Sequence, residues 1–364
     1  MNKNRKILVV SFGSGLEYSG GQQCSLRNFQ SVKSLFGEDN TINYFIESYC
    51  NKRSFKTIVK RLKDIFLGYM VGIDENHIKT IKGIINKENI TDIFVDSSLM
   101  GSLVKSVRKD FPNINIVTFF HNYEYGFLSD AIRVNHDYLR FYWLILASYN
   151  EKNSIKYSNK IICLNERDNL QIQRHYGRFC DMLIPITLKS TSNQFDKNVI
   201  SQNREALFIG SYFYANIEGI KWFCNNVVPY VDINLTIVGS GMDKLSKDIQ
   251  VSSKINIYSS VPNLQPYFDN ADFVVLPIFS GSGMKVKTAE SLMHGKFIIG
   301  TDEAFRGYQI TCDVGRICNT AEEFITEINS LQLKKKFNES SRTLYENRYS
   351  FESSLKDFKN LFEL

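Results

Sequence analysis

Short runs of β-branched and aromatic residues alternate along the chain with stretches whose apolar positions recur every three or four residues. In the first half this pattern predicts strands at 6–12, 42–46, 92–96, 114–120, 160–164 and 181–186. Helices are predicted between them, near 21–36, 54–70, 75–87 and 99–109, with a long helical stretch within 126–157. The strand runs are continuously apolar rather than alternating, the signature of strands buried on both faces of a parallel sheet covered by helices.

Between Thr187 and Asn203 the pattern lapses into Ser, Thr, Asn and Gln, which predicts a linker. The alternation then restarts, with strands predicted at 206–211, 235–239, 255–258, 272–278 and 297–300, and helices at 217–227, 264–270 and 285–294. Two successive α/β units follow: a domain over 1–187 and a second over 204–345. In the tail 346–364, Phe351, Leu355, Phe358, Leu361 and Phe362 share one side of a helix, so this helix is expected to pack back on the first domain. No internal repeat or low-complexity tract is visible.

Composition narrows the class. Of 364 residues, 43% are apolar and 23% charged, with only six prolines; at a mean hydropathy of −0.22 the chain reads as globular and soluble. The longest wholly apolar or aromatic run, Phe141 to Ala147, is too short to span a bilayer. The N-terminus runs straight into a strand with no cleavage-type ending, so no secretory signal is expected. Seven cysteines without a C-x-x-C read as reduced thiols of a cytoplasmic protein, and no histidine and cysteine spacing points to a metal. The net charge of +6 is carried by the first half, where residues 1–185 hold 25 Lys and Arg against 18 Asp and Glu. No nucleic-acid module accompanies that excess, so a nucleic-acid partner is not expected.

Glycines after strands are the first chemical signal. Gly13, Gly15, Gly20 and Gly21 follow the first strand, and Gly239 and Gly241 follow the strand before them. Neither set completes a dinucleotide fingerprint, and there is no phosphate-loop motif, which removes most support for a dehydrogenase or a P-loop enzyme. The most informative segment is Ser280-Gly281-Ser282-Gly283-Met284-Lys285-Val286-Lys287-Thr288-Ala289-Glu290. Its small residues leave backbone amides open at the start of a helix, a geometry suited to phosphate oxygens. Lys285 and Lys287 oppose the helix dipole there unless an anion binds nearby. Glu290, one turn after Lys287, can accept two hydroxyl hydrogen bonds at once, as a ribose diol needs, or can form a surface ion pair with Lys287. In the first half His121 ends a predicted strand, where α/β sheets bind ligands; Asp96 is at a similar place, as a ligand of that crevice or as a simple helix cap.

These residues resemble a known family. Phe208-Ile209-Gly210-Ser211 followed by Asn216-Ile217-Glu218-Gly219 looks like the opening of the C-terminal domain of GT-B glycosyltransferases of the large retaining family 4. Val238-Gly239-Ser240-Gly241, Val261-Pro262-Asn263-Leu264, Pro277, Glu290 and Gly295-Lys296 follow in the family's order. The resemblance covers 205–301 well and the first half loosely. It implies a fold of two Rossmann-like parallel-sheet domains facing a central cleft, and transfer of a sugar from a nucleotide diphosphate donor, with UDP the expected nucleotide, to an acceptor hydroxyl. It further implies donor contacts from Gly20, Gly21, Gly210, Ser211, Gly281, Ser282, Gly283, Met284, Lys287 and Glu290, with His121 near the transferred sugar and Lys287 near the diphosphate. Many members carry a second glutamate eight positions before the first, but Ser282 stands there, and no Arg and Lys pair follows Gly210. Lys287 is thus expected to carry the leaving group, without a metal or other cofactor.

The expected activity is a retaining glycosyltransferase of bacterial cell-surface polysaccharide or glycolipid synthesis, acting on a glycan or lipid-linked acceptor. Two alternatives are a sugar-nucleotide epimerase on the same fold and a non-catalytic nucleotide-sugar-binding assembly protein. From Lys52 to Lys63 six basic residues and no acid accompany apolar positions at Phe55, Ile58, Val59, Leu62, Ile65, Phe66 and Tyr69. Such a helix either covers the sheet or lies on an anionic membrane through Lys56, Lys60 and Lys63, which would make the protein peripheral on the inner face of the cell membrane.

Overall fold

A computed structural model describes residues 5–12, 20–46, 63–70, 72–134, 136, 140–190, 195–249, 253–281 and 283–363. The chain divides into two units, Met1–Pro185 with Ser354–Leu364, and Ile186–Ser353.

In the first unit, strands β1 (Ile7–Phe12), β2 (Thr41–Ile46), β3 (Asp92–Val95), β4 (Asn115–Phe120), β5 (Lys160–Cys163) and β6 (Met182–Leu183) form one sheet in the order β2-β1-β3-β4-β5-β6. Every pairing is parallel. Its helices are α1 (Gly20–Phe36), α2 (Glu75–Glu88), α3 (Gly101–Asp110), α4 (Glu124–Val134), α5 (Phe141–Tyr157) and α6 (Glu166–Tyr176). The core is built from the continuously apolar strand residues: Leu8, Val10, Ile93, Val95 and Ile116 share one cluster with the inner faces of α2 and α3. Asp74 caps α2 by accepting from the His77 amide, and Asn165 caps α6 in the same way through the Asp168 amide, as expected of Asx residues at helix starts.

The second unit repeats the plan. Strands β7 (Glu205–Ile209), β8 (Asn234–Val238), β9 (Ile255–Tyr258), β10 (Phe273–Leu276), β11 (Phe297–Gly300) and β12 (Gly315–Ile317) are ordered β12-β11-β10-β7-β8-β9, all parallel. Helices α7 (Tyr214–Asn226), α8 (Gln265–Asn270), α9 (Val286–Met293), α10 (Ala321–Ser330) and α11 (Glu339–Leu344) accompany them. The final helix α12 (Phe351–Phe362) starts at the end of this unit and runs into the first. There Phe358 packs on Phe94 and Phe362 on Phe36, while Arg5 donates to the Phe362 carbonyl.

Several expectations need correction. The stretch within 126–157 is two helices, α4 and α5, rather than one. The helix expected to reach residue 70 stops at residue 66: Gly68 takes a left-handed φ of 78°, a conformation that ends helices. Its earlier portion, with Lys56 and Lys60, lies outside the described residues. β12, α10 and α11 have no counterpart among the elements expected from the pattern. Among the described residues no helix is long and apolar enough to cross a membrane.

Candidate active site

In each sheet the chain builds outward on one side, then returns to continue on the other. The reversal lies between β1 and β3 in the first unit and between β7 and β10 in the second. Strands that part there leave an open crevice beyond their carboxyl ends, the usual ligand position in such sheets.

In the second unit, β7 ends at Ile209 and Gly210, and β10 leads through Pro277 to the glycine turn and α9. Gly281 and Gly283 have φ of 114° and 64°, backbone conformations that a side chain disfavours. Ser282 between them lies outside the described residues. Met284 is a core side chain. Lys285 stands at the N-cap of α9 and no side chain caps the helix, so its first amides stay available to an anion.

The two lysines of this segment have different fates. Lys285 is tied down: its Nζ lies 2.7 Å from Glu303 Oε1 and donates to the Gly283 carbonyl at 3.1 Å. This corrects the expectation that both lysines offer charge to a ligand, since Lys285 is held by Glu303, which also pairs with Arg306. Lys287 lies 5.1 Å above the Phe208 ring and donates to Asn216 Oδ1. Burial lowers its pKa to about 7, opposed by the nearby Glu290 charge and reinforced by that of Lys285. Burial also raises the Glu290 pKa, and Lys287 works against that rise. Among the described residues the Glu290 carboxylate has no hydrogen bond or ion pair; an ion pair to Lys287, the simple structural reading of the two residues, is not formed.

Glycines make room for this arrangement. A Cβ at Gly210 would stand 2.9 Å from Lys287 Nζ, and one at Gly239 would stand 1.9 Å from the Gly210 carbonyl oxygen. Asn216 is held in turn by donating to the Ser211 carbonyl at 2.9 Å, while Ser211 itself is exposed. Asn216 and Glu303 were missed as site residues. Asn216 belonged to a quoted run, but Glu303 gives no local signal.

In the first unit, Gly20 and Gly21 open α1, and a Cβ at Gly21 would meet nothing within 4 Å. His121 follows β4 and Asp96 follows β3. The His121 Nε2 is 3.0 Å from the Asp96 carbonyl and 3.2 Å from its Oδ1. Burial disfavours the imidazolium, but the charge of the Asp96 carboxylate, that of Cys24 in its thiolate form and the hydrogen bonds to both outweigh it and push the pKa well above its ordinary value. Asp96 is no helix cap: Ser97 caps the turn at Ser98–Met100, and Asp96 Oδ1 instead accepts from Asn28 at 2.6 Å. Nor is His121 a cap. The start of α4 is capped by buried Glu151, which accepts from the Glu124 and Tyr125 amides at 2.8 and 3.2 Å.

A prediction follows for this pair. In Asp96→Asn the His121 pKa should fall by roughly 1–3 units, the effect of removing an adjacent opposite charge, as read by NMR titration of the ring. An unchanged titration would show that Asp96 does not hold the charge.

Two parallel six-stranded sheets with helices, each carrying polar residues at its reversal point, define the two-domain α/β fold of GT-B glycosyltransferases. Residues 203–332, in the second unit, match the family described as glycosyl transferases group 1. Solved structures agree at the level of the fold. The lipopolysaccharide outer core galactosyltransferase WaaB in its apo form is 11% identical, with a TM-score of 0.67 over 98% of this chain and 99% of that one. A glycosyltransferase from Rickettsia africae is 14% identical, with a TM-score of 0.65 over 99% and 98%. The Anabaena protein HepE, in complex with UDP and glucose, is 10% identical, with a TM-score of 0.64 over 99% and 100%. An uncharacterised Klebsiella pneumoniae protein of the cps region is 25% identical over 181 residues, 46% of this chain and 45% of that one. The match thus spans about half the length of this curated relative.

Proposed function

We propose that the protein is a glycosyltransferase that moves a sugar from a nucleotide diphosphate donor, UDP-linked, to a hydroxyl of a glycan or lipid-linked acceptor, with retention, in bacterial cell-surface polysaccharide synthesis. The observation that carries this reading is the pair on α9: among the described residues, a half-buried Lys287 has no carboxylate within ion-pair distance, and the Glu290 carboxylate one turn later has no hydrogen bond. Two such groups beside an uncapped helix start fit a ligand that brings both an anion and a diol. The UDP in HepE and the cps-region relative support the donor class and the pathway.

In this reading Glu290 accepts from the ribose hydroxyls. Lys287 and the first amides of α9 take up the charge that develops on the departing diphosphate, and turnover needs no divalent ion, which would be tested by activity in the presence of a chelator. His121, held against Asp96, is the first unit's contribution to transfer. The acceptor is placed at the cytoplasmic face of an anionic membrane. Of the three lysines expected there, only Lys63 is described; it is exposed and 3.5 Å from Glu75.

The test is Glu290→Gln. It keeps the shape of the side chain but removes charge-assisted hydrogen bonds worth roughly 1.5–3 kcal/mol each, so UDP affinity by calorimetry should fall at least tenfold with the melting temperature unchanged. Unchanged affinity would remove the donor assignment. Product analysis with UDP-sugars, with and without acceptor, separates transfer from epimerisation.

A further inference from the structure

The first unit exposes large apolar side chains on one continuous face. On α5, Phe141 and Ile145 are 60% and 62% exposed, and Tyr142 and Tyr149 are exposed beside them. Positions 141, 145 and 149 lie one above the next on a helix. Further along the same side come Lys152 and Lys156, the only exposed charges of α5, because Glu151 is buried. The sequence pattern placed Phe66 on the apolar stripe of the preceding helix, yet it is 90% exposed, and Leu67 beside it is exposed too.

Phe66 and Leu67 adjoin the α5 face. The next residue, Gly68, lies so close to the Tyr149 ring that a Cβ there would stand 2.5 Å from it. The Gly68 carbonyl accepts from Asn150 at 2.9 Å, and Ile65 packs in the same small cluster as Leu146 and Trp143. Lys105 from α3 donates to the Tyr149 hydroxyl at 3.3 Å. Single exposed apolar residues need no explanation, but a contiguous patch marks an interaction site. Its border of Lys105, Lys152 and Lys156 selects the partner: an apolar surface rimmed with anions.

We propose that this face of the first unit inserts into the interface of an anionic bilayer, with Phe66, Phe141 and Ile145 at the acyl boundary and the lysines among the headgroups. The inference rests on the reading that the acceptor lies at a membrane, and it assigns the contact to residues other than Lys56 and Lys60. The two contacts differ in salt dependence. A purely basic segment is screened off by salt, whereas an inserted apolar face keeps part of its binding.

The experiment is co-sedimentation of the full chain with phosphatidylglycerol and phosphatidylethanolamine vesicles at low salt and at high salt. In a Trp222→Phe background, quenching of Trp143 fluorescence by brominated lipid is followed in parallel. Wild type should retain part of its binding at high salt and show quenching. Phe141→Ser with Ile145→Ser should lower partitioning roughly tenfold or more, and Lys152→Glu with Lys156→Glu should lower it at low salt. Melting temperature and UDP affinity should stay unchanged in both. Wild-type binding that both double variants keep would overturn the proposed face while leaving the membrane reading in place. Failure of wild type to bind would overturn both. A dimer in size-exclusion chromatography that only the Phe141 and Ile145 variant loses, with vesicle binding unaltered, would make the face a contact between copies and overturn the proposal.

Discussion

Lys287→Ala is expected to slow sugar transfer by about a hundredfold or more, the loss seen when a preorganised donor at a developing negative charge is removed. The size of the effect follows from its surroundings. Lys285, two residues earlier, cannot substitute, because Glu303 and the Gly283 carbonyl hold it. The same desolvation predicts a pH signature. Free Lys287 has a pKa near 7, and a bound diphosphate favours its charged form, which raises that pKa. Below pH 7 the lysine is already protonated and UDP affinity is at its plateau. Above pH 7 binding must take up a proton, so affinity falls as pH rises toward the pKa of the bound state. Calorimetry in buffers of different ionisation enthalpy should show proton uptake near pH 8 in wild type and none in Lys287→Ala. Equal uptake in both would assign the proton elsewhere, and near-normal turnover of the variant would remove Lys287 from the reaction.

Gly219→Ala is expected to destabilise the second unit, although alanine favours helices over glycine by about 1 kcal/mol. Gly219 lies in α7 against the segment after β10. A Cβ there would stand 1.7 Å from the Pro277 carbonyl oxygen and 2.9 Å from its carbon. Backbone is the obstacle, so no side chain can rotate away and the two elements must move apart. Overpacking of this kind costs roughly 1–3 kcal/mol and occasionally more, which outweighs the helical gain. The melting temperature should drop by roughly 2–4 °C for each kcal/mol of net loss in a domain of this size. Since Pro277 leads into the turn at Gly281, UDP affinity should fall with it. Gly83→Ala provides the contrast. Gly83 lies inside α2 with nothing within 4 Å of its Cβ position, so alanine should stabilise by up to about 1 kcal/mol. A midpoint that rises in Gly219→Ala would refute the packing argument.

The sequence by itself determined the strands β1, β3, β4, β7, β8, β10 and β11, because each is a short, largely apolar run that needs no distant partner to be read. It also determined the glycine turn and the helix carrying Lys287 and Glu290, since left-handed backbone at Gly281 and Gly283 is a local requirement with a local signature. What only the tertiary structure decided depends on contacts between residues far apart in the chain. Which lysine is available to a ligand depends on Glu303, reached through β11. The upward shift of the His121 pKa depends on Asp96, which the sheet order brings beside it from the neighbouring strand. Whether Phe66 and Phe141 are core or surface depends on where Gly68 ends a helix and on how α5 lies against it. Hydrophobic periodicity reports that a face is apolar; only the packed neighbours establish whether that face is covered.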